Sequence, residues 1–442
     1  MSDSVNRREF LQRAGQTAAL TAGVAALGGV HTEAAEQPST IQLGMIGCGS
    51  MMRGHVSHLV TQQRNISFAH FCDVDPAQIE RISRNIDGFQ SAAPNRTGRY
   101  EDVIADKNVD AVFIATPHHW HAPIALAAIA AGKDVYIEKP VSHVYHEGNL
   151  IREAALQHGR VVQQGTQMRS CPVTDQAGKL LADGVIGKVL VSRAWTAELR
   201  KVVSPVADSE APSGVDYDRW LGPAPTRAFN KHRFHNSWRR FRDYANGEIG
   251  DDGIHDLDMA RWGLGDPALP SKITARGGRM ILHGHASEYP DNMHVMFEYP
   301  DGRLLVYENY PFTEYGLHGF DNGNVFYGTD GYMVFSRRGA FSTFLGRKGE
   351  PGPTEKKEDR GKRGYEQHQQ DFLNAVRTRG TTRASAEVAH QSAALVHLGE
   401  ITFRTRGQLE FDVESEQFFG CDEANQMLTK EYRDPYVLPT GA

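Results

Sequence analysis

The chain has 442 residues, 40% of them hydrophobic, with 44 glycines, 20 prolines and a formal net charge of -6. That length leaves room for two or three domains with real cores, and the composition excludes fibrous and disordered classes. The negative balance gives no reason to expect nucleic acid or an anionic membrane as partner. Cys48, Cys72, Cys171 and Cys421 lack Cys-x-x-Cys spacing, so neither a zinc site nor a disulfide framework is expected.

At the N-terminus, Asn6-Arg7-Arg8-Glu9-Phe10-Leu11 precedes an Ala/Gly-rich apolar run from Ala14 to Val30 and then Thr32-Glu33-Ala34-Ala35. This order reads as a twin-arginine export signal over residues 1–35. The run is too short and too rich in glycine for a membrane anchor. The expected location is periplasmic or secreted, reached by a route that carries proteins already folded.

Ile41 to Ile46 reads as a strand, and Gly47-Cys48-Gly49-Ser50-Met51-Met52-Arg53-Gly54 leads from it into a helix. Gly47 permits the tight turn, and Gly49 lets the backbone approach a pyrophosphate at the helix N-terminus, with Ser50 and Met51 in the same cofactor-binding turn. Met52 stands where G-x-G-x-x-G asks for its third glycine, with Gly54 two residues later. Ser67 to Cys72 is a second strand ending in Asp73, 24 residues beyond Gly49. That is close to the spacing of the acid that hydrogen-bonds an adenosine ribose. A carboxylate there repels a 2′-phosphate, so the sequence leans to NAD over NADP. Cys48 and Cys72, at the strand ends, read as small buried hydrophobes, and Asp75-Pro76 as an N-cap with proline opening the next helix.

After a turn-rich loop over residues 87–99, Val109 to Ala115 is the next apolar run, followed by Thr116-Pro117-His118-His119-Trp120-His121. The three histidines invite a metal reading, but adjacent loop residues rarely converge on one ion and no partner acid is near, so no metal is expected. The alternative places Thr116, Pro117, Trp120 and His121 at the nicotinamide end of a cleft. Helix Pro123–Ala131 leads back to a strand at Val135–Ile137 that stops in Glu138-Lys139-Pro140. Pro140 cannot continue a ladder and biases Lys139 to extended backbone. A lysine is thereby delivered at the carboxyl end of a central strand, the edge where ligands sit in open α/β sheets. Alternating strands and helices predict a parallel sheet with right-handed crossovers.

Taken in order, the Gly47–Gly49 turn, Asp73, the Ala115-Thr116-Pro117…His121 run and Glu138-Lys139-Pro140 resemble the glucose–fructose oxidoreductase/inositol dehydrogenase (Gfo/Idh/MocA) family. The resemblance covers nearly all of the chain beyond the signal. It implies an α/β protein: an NAD(P)-binding Rossmann domain with a doubly wound parallel sheet over residues 36–165, and a substrate-binding α+β domain with a large, mostly antiparallel sheet over 166–410. A tail over 411–442 would pack on the surface. It adds Glu138 and Lys139 to the cofactor contacts. It also implies a homo-oligomer, dimer or tetramer, formed through the open face of the second sheet.

Helices at His146–His158 and Asp175–Asp183, with a strand at Arg160–Gln164 between them, carry the chain into that second domain. Val189–Ala197, Ser271–Leu282, Asn292–Tyr299, Arg303–Tyr310 and Tyr332–Ser336 follow as strands. Arg233 to Tyr244 interleaves basic and aromatic residues, and Trp238 with Arg239 could offer a stacking face and hydroxyl donors to a sugar. In Asn246 to Trp262, Asp251 and His255 are four apart and share a face if the segment is helical. A carboxylate beside an imidazole is what a general base needs. The family's Asp-x-x-x-His motif, partner to the lysine of Glu-Lys-Pro, falls on Asp251 and His255; Asp252 remains a second candidate for the acid. A metal set of His255, Asp256 and Asp258 would spread around a helix. Gly346 to Arg363 reads as a solvated loop, Tyr365–Arg377 and Ala384–Arg404 as amphipathic helices, and Asp422-Glu423-Ala424-Asn425 as the start of a short one.

The resemblance implies an oxidoreductase acting on the CH–OH group of a sugar, polyol or sugar derivative. His255 would be the base, held by Asp251, and Lys139 would stabilise the same oxygen, with Lys139, Trp238, Arg239, Asp251 and His255 meeting the substrate. Outside the cytoplasm no ordinary NAD pool exists, so a tightly bound, recycled cofactor is expected. The alternative is an NAD-dependent glycoside hydrolase or epimerase using transient oxidation; a redox-dead sugar or nucleotide sensor is a third class.

Overall fold

The computed structural model describes residues 40–62, 65–200, 202–235, 237–313, 315–355, 364–405 and 407–439. The twin-arginine stretch lies outside them. The first half builds a six-stranded parallel sheet from β1 (Ile41–Ile46), β2 (Ile66–Cys72), β3 (Asn95–Thr97), β4 (Ala111–Ile114), β5 (Asp134–Ile137) and β6 (Val162–Gln164), in the order β3-β2-β1-β4-β5-β6. β4 and β5 are buried at every position, as expected of strands covered on both faces. The order reverses between β1 and β4, and in such sheets the crevice outside that switch point receives ligands. Gly47, Asp73, Ala115 and Glu138 each follow one strand at this edge.

The crossover helices are α1 (Ser50–Gln62), α2 (Pro76–Ser83), α3 (Tyr100–Ala105), α4 (His121–Ala130) and α5 (Tyr145–Gln157). Met52, at the third-glycine position, has no exposed surface and packs with Val56 and Leu59 against β1, so the departure from the glycine pattern is absorbed as core. Asp75 caps α2 by accepting the Ala77 N–H at 3.0 Å, with Pro76 at the first helical position.

After α6 (Pro172–Ala182), the second half forms a ten-stranded sheet in the order β14-β13-β12-β11-β7-β10-β9-β8-β15-β16. It uses β7 (Val189–Thr196), β8 (Lys272–Gly278), β9 (Asn292–Glu298), β10 (Leu304–Asn309), β11 (Asn322–Gly328), β12 (Gly331–Ser336), β13 (Ala340–Leu345), β14 (Glu350–Glu355), β15 (Gln408–Asp412) and β16 (Gln417–Phe418). The paired strands are antiparallel apart from β7 with β10. A short helix α7 (Tyr217–Leu221) and then α8 (Ile254–Gly263), entered through a π-helical turn at Ile249–Gly253, lie between β7 and β8. Gly253 is required there: a Cβ would stand 2.5 Å from the Tyr307 hydroxyl on β10.

Three expectations are corrected. Part of the stretch read as a solvated loop is the edge strand β14, whose Pro351 and Pro353 belong where one side of the ladder is unpaired. The strand expected to run on to Leu282 stops at Gly278; beyond it the Asp291 carboxylate accepts the N–H groups of Met280, Ile281 and Leu282 at 2.9, 2.9 and 2.6 Å, bending the chain into a loop. The segment expected as a surface tail instead sends Phe411, Phe418 and Cys421 into the core of the second sheet.

Two late helices tie the halves together. α9 (Tyr365–Thr378) places Phe372 and Leu373 in the core beneath β1, β2 and β4. Burying such a side chain contributes about 1.5–3 kcal/mol. α10 (Ala386–Arg404) turns Ala389 and Ala393 to the core of the parallel sheet and Leu395, Val396 and Leu398 to that of the second. Sequence order therefore does not cut the two cores at one residue.

Candidate active site

Two connected clefts lie along the carboxyl edge of the parallel sheet. The smaller, about 290 Å³, is lined by Gly47, Gly49, Ser50, Met51, Asp73, Thr116, Pro117 and Trp120 among others. Gly47 has φ of +86°, and a Cβ there would fall 2.8 Å from the Ala115 carbonyl carbon, so the turn closes against β4 only with glycine. Around Gly49 no atom lies within 4 Å of the Cβ position, which leaves its backbone open to the groove. Asp73 accepts the Cys48 N–H at 2.7 Å and the Asp75 N–H at 2.9 Å. Burial pushes its carboxyl up to about 6, against the pull of those two donors.

The larger cleft, about 650 Å³, shares Met51, Ala115, Thr116, Trp238 and Arg239 with the smaller one. Its wall carries Glu138 and Lys139 from the end of β5, and Asp251, Asp252 and His255 from the π turn and α8. The Lys139 and His255 side chains thus face a common cavity, although 116 residues separate them. The Lys139–Pro140 peptide is cis.

Asp251 is where the structure departs from expectation. The spacing of four assigns it to His255, but its Oδ1 is 2.9 Å from Lys139 Nζ and 3.1 Å from Arg239 Nε, and Lys139 also donates to the Asp251 carbonyl. His255 Nδ1 has no hydrogen-bond partner among the described residues. The π turn is the reason: the extra residue per turn breaks the register that places i and i+4 one above the other. Asp252 pairs instead with Arg200 at 2.6 Å and Arg337 at 3.1 Å, while its charge also reaches Lys139 and His255 across the cleft. Burial alone would raise the Asp251 carboxyl; Lys139 and then Arg239 overcome it and hold the group below the usual carboxylate range. Burial, and after it the Lys139 charge, hold His255 well below the ordinary imidazole range, so the ring is neutral at physiological pH.

The other expected residues sort as follows. Trp238 lines both clefts, with the Arg239 guanidinium 4.3 Å above its ring and His118 edge-on at 5.0 Å. Trp120 lines the smaller cleft and donates its indole N–H to the Arg219 carbonyl at 3.0 Å. Glu138 lines the larger cleft with Oε1 2.8 Å from His55 Nε2; burial works to raise it, and His55 holds it below its usual range.

His121 is a correction: it lines neither cleft. Its ring nitrogens lie 2.7 Å from the Pro140 carbonyl and 3.0 Å from that of Thr116, so it clamps the two turns together from behind. His118 takes the place in the cleft expected for it, at 3.2 Å from Asn246 Oδ1.

Sequence reasoning also missed Arg200, Glu248, Arg337 and His285, all on the wall of the larger cleft. They come from loops and strand ends far apart in the chain and form no motif. The one local mark that could have pointed to them is the Arg337-Arg338 pair directly after the strand ending at Ser336, which sequence reasoning does not single out. Among the described residues no group of three or more His, Cys, Asp or Glu could hold a metal ion, and no helix is long and apolar enough to cross a membrane.

Two family descriptions match the chain: the NAD-binding Rossmann fold of the Gfo/Idh/MocA oxidoreductase family over residues 41–166, and that family's C-terminal alpha/beta domain over residues 178–316 and 356–438. Levoglucosan dehydrogenase of Pseudarthrobacter phenanthrenivorans is 26% identical over 267 residues, 55% of this chain and 59% of that protein. Inositol 2-dehydrogenase of Agrobacterium fabrum is 24% identical over 340 residues, 76% of this chain and 86% of that one. A solved structure of levoglucosan dehydrogenase in complex with NADH and levoglucosan superposes with a TM-score of 0.65 at 21% identity, covering 84% of this chain and 99% of that one.

Proposed function

The chain belongs to the Gfo/Idh/MocA oxidoreductase family, and from that premise we propose that it oxidises a CH–OH carbon of a sugar, polyol or sugar derivative with NAD. The observation that carries this reading is the meeting of Lys139 and His255 across a cleft that continues into the groove beside Gly47 and Asp73.

That groove fits a dinucleotide. Its open Gly49 backbone and the N-terminus of α1 suit a pyrophosphate, and Asp73 suits a ribose diol while disfavouring a 2′-phosphate, which supports NAD over NADP. When bound, NAD supplies the hydride acceptor. The residues of this chain do the rest. Neutral His255 takes the hydroxyl proton onto a ring nitrogen, and Lys139 donates a hydrogen bond to the same oxygen as negative charge builds on it. Asp251 acts through Lys139 and Arg239, fixing the ammonium where the oxygen will be. Trp238 offers an aromatic face to the ring of the substrate, with Arg239 laid across it.

The Arg7-Arg8 segment supports export, which would favour a cofactor that stays bound and is recycled in place. The open face of the second sheet carries exposed Tyr327 beside the stacked Tyr332 and Phe344 rings, 4.7 Å apart, and we assign self-association to it.

To test the proposal, the purified protein is denatured and any released nucleotide identified, and native protein is incubated with free sugars and with glycosides. NAD(H) on release and a keto-sugar product are expected. Release of an aglycone would move the reading to redox-neutral glycoside cleavage, and a protein that neither releases nor binds nicotinamide nucleotide would overturn it.

A further inference from the structure

The loop between β7 and the π turn is long, and α7 is its one α-helix among the described residues. Irregular chain of that length is uncommon in a compact domain and is usually put to use. This one is not slack. Trp220, Leu221, Phe229, Phe234 and Tyr244 form a buried, mostly aromatic cluster of their own, with the Trp220 ring 4.8 Å from Tyr244 and 5.2 Å from Phe234. Val74, directly after Asp73, packs against that cluster from the parallel-sheet half.

The loop is fastened beyond two strand ends. The Asp216 N–H donates to the Val74 carbonyl at 3.0 Å, beyond β2. Beyond β4, the Trp120 indole N–H is shared by the Arg219 and Trp220 carbonyls at 3.0 and 3.2 Å. Gly222 comes so close that a Cβ would stand 2.2 Å from the Trp120 ring. β1 runs between β2 and β4, so the anchors are two strands apart, about 10 Å, with the Gly47 turn between them. A dinucleotide held at Asp73 and at the Gly47 turn would lie along that line, and Arg219, Trp220, His235, Trp238 and Arg239 give its groove a second wall. Charged pairs add to the fastening. Arg219 reaches both carboxylate oxygens of Glu101, on α3, at 3.0 and 3.1 Å, and His235 Nε2 lies 3.1 Å from Asp75 Oδ2. On α7, Asp218 takes Arg433 at 2.7 Å and the Tyr436 hydroxyl at 2.8 Å, which ties the loop to the C-terminal segment.

We propose that this loop is a clasp that retains the dinucleotide: Arg219, Trp220 and His235 close over it from the second half of the chain, and it leaves only when the anchors at Val74, Trp120 and Glu101 let go. Lid opening of this kind limits release in many enzymes. The inference rests on the nicotinamide-dependent reading, but its test measures exchange without turnover.

In the test, protein loaded with NAD is mixed with excess radiolabelled NAD, and the label bound after gel filtration is followed over time. The parent protein exchanges over about minutes or longer. Glu101→Gln combined with Asp218→Asn cuts two anchors that belong to neither cleft wall. Both pairs are partly exposed, so the double variant speeds exchange by about tenfold and lowers Tm by no more than about 3 °C. Asp301→Asn, which breaks a comparable pair with Arg303 in the turn between β9 and β10, leaves the exchange rate unmoved. Exchange complete within about a second in the parent, a double variant no faster than the parent, or an equal effect of Asp301→Asn overturns the clasp and leaves the sugar-oxidising reading standing. Slow exchange with no hydride transfer from any sugar refutes that reading alone.

Discussion

Replacing Asp251 by Asn tests the central assignment, because it removes one charge and keeps the shape. The carboxylate serves two cations: Lys139, whose side chain is 10% exposed, and Arg239, which is 34% exposed. Stripping the partner from a fully buried pair costs about 3–5 kcal/mol, whereas an exposed pair contributes about 0.2–1 kcal/mol. Lys139 lies nearer the first case. Arg239 lies nearer the second, since it can turn to solvent and already rests on Trp238. Asn also retains an acceptor at the same place, and the Asp251 carbonyl still receives Lys139. The expected loss is therefore about 1–3 kcal/mol. With an unfolding entropy of about 2.1 cal/mol/K per residue over roughly 400 residues, that lowers Tm by only about 1–4 °C. Turnover should fall much further, by about 10²-fold or more, because a misplaced ammonium no longer meets the developing alkoxide. Asp252→Asn is the comparison: its ion pairs are with Arg200 and Arg337 and it acts on Lys139 only through space, so it should lower turnover less than Asp251→Asn does. Calorimetry and steady-state kinetics on both variants decide the matter. If Asp252→Asn abolishes turnover while Asp251→Asn leaves it intact, the assignment of Asp251 to Lys139 is refuted.

Three other outcomes follow from the geometry. Lys139→Ala should abolish turnover while nucleotide remains bound, read by single-turnover kinetics and by nucleotide release; unchanged activity removes Lys139 from the chemistry. Asp73→Asn should lower the ratio of kcat/KM for NAD over NADP by about tenfold; since burial sets the Asp73 carboxyl at about 6, discrimination in the parent protein should also weaken below that pH. Asp256, fully buried, is pushed up to about 8 by burial, with Arg337 at 3.6 Å opposing. The folded form then holds a proton that the unfolded chain has lost between pH about 4 and 8, so unfolding free energy falls as pH rises across that window. Asp256→Asn should flatten that slope in urea titrations, and an unaltered slope would show that Asp256 is charged in the native state.

The parts of this protein that could be read from its sequence are those written in short-range patterns. β1, β2, β4 and β5 announce themselves as apolar runs, and each is followed by a residue that lines a cleft: Gly47, Asp73, Ala115 and Glu138; the polar β3, Asn95–Thr97, lies in the stretch read as a turn-rich loop. Lys139 could be placed because a proline stops the strand immediately after it. The strands β11, β13 and β14 could not be read. β11 and β14 mix glycine, asparagine and proline, β13 is a short Ala-Phe-Ser-Thr-Phe-Leu run, and all three are held by pairing across the sheet, which no local window contains. The same holds for the arginines of the larger cleft, which meet only after the second sheet has closed.

His121 and Asp251 failed for a sharper reason. Both residue types were the right ones for the site, and both were assigned by sequence distance. His121 is one turn away from His118, and the short 3₁₀ turn at His118–Trp120 aims the earlier ring into the cleft and the later one behind it. Asp251 sits in a π turn, where a spacing of four no longer means a shared face. That turn is held open by packing: Gly250 lies against Asn246, and Gly253 lies against Tyr307. A glycine on either side of the acid is thus what frees Asp251 from His255 and gives it to Lys139. The residue that supports the proton acceptor in a regular helix supports the cation here, and the imidazole is left neutral and unpaired on Nδ1, facing the same cavity as Lys139.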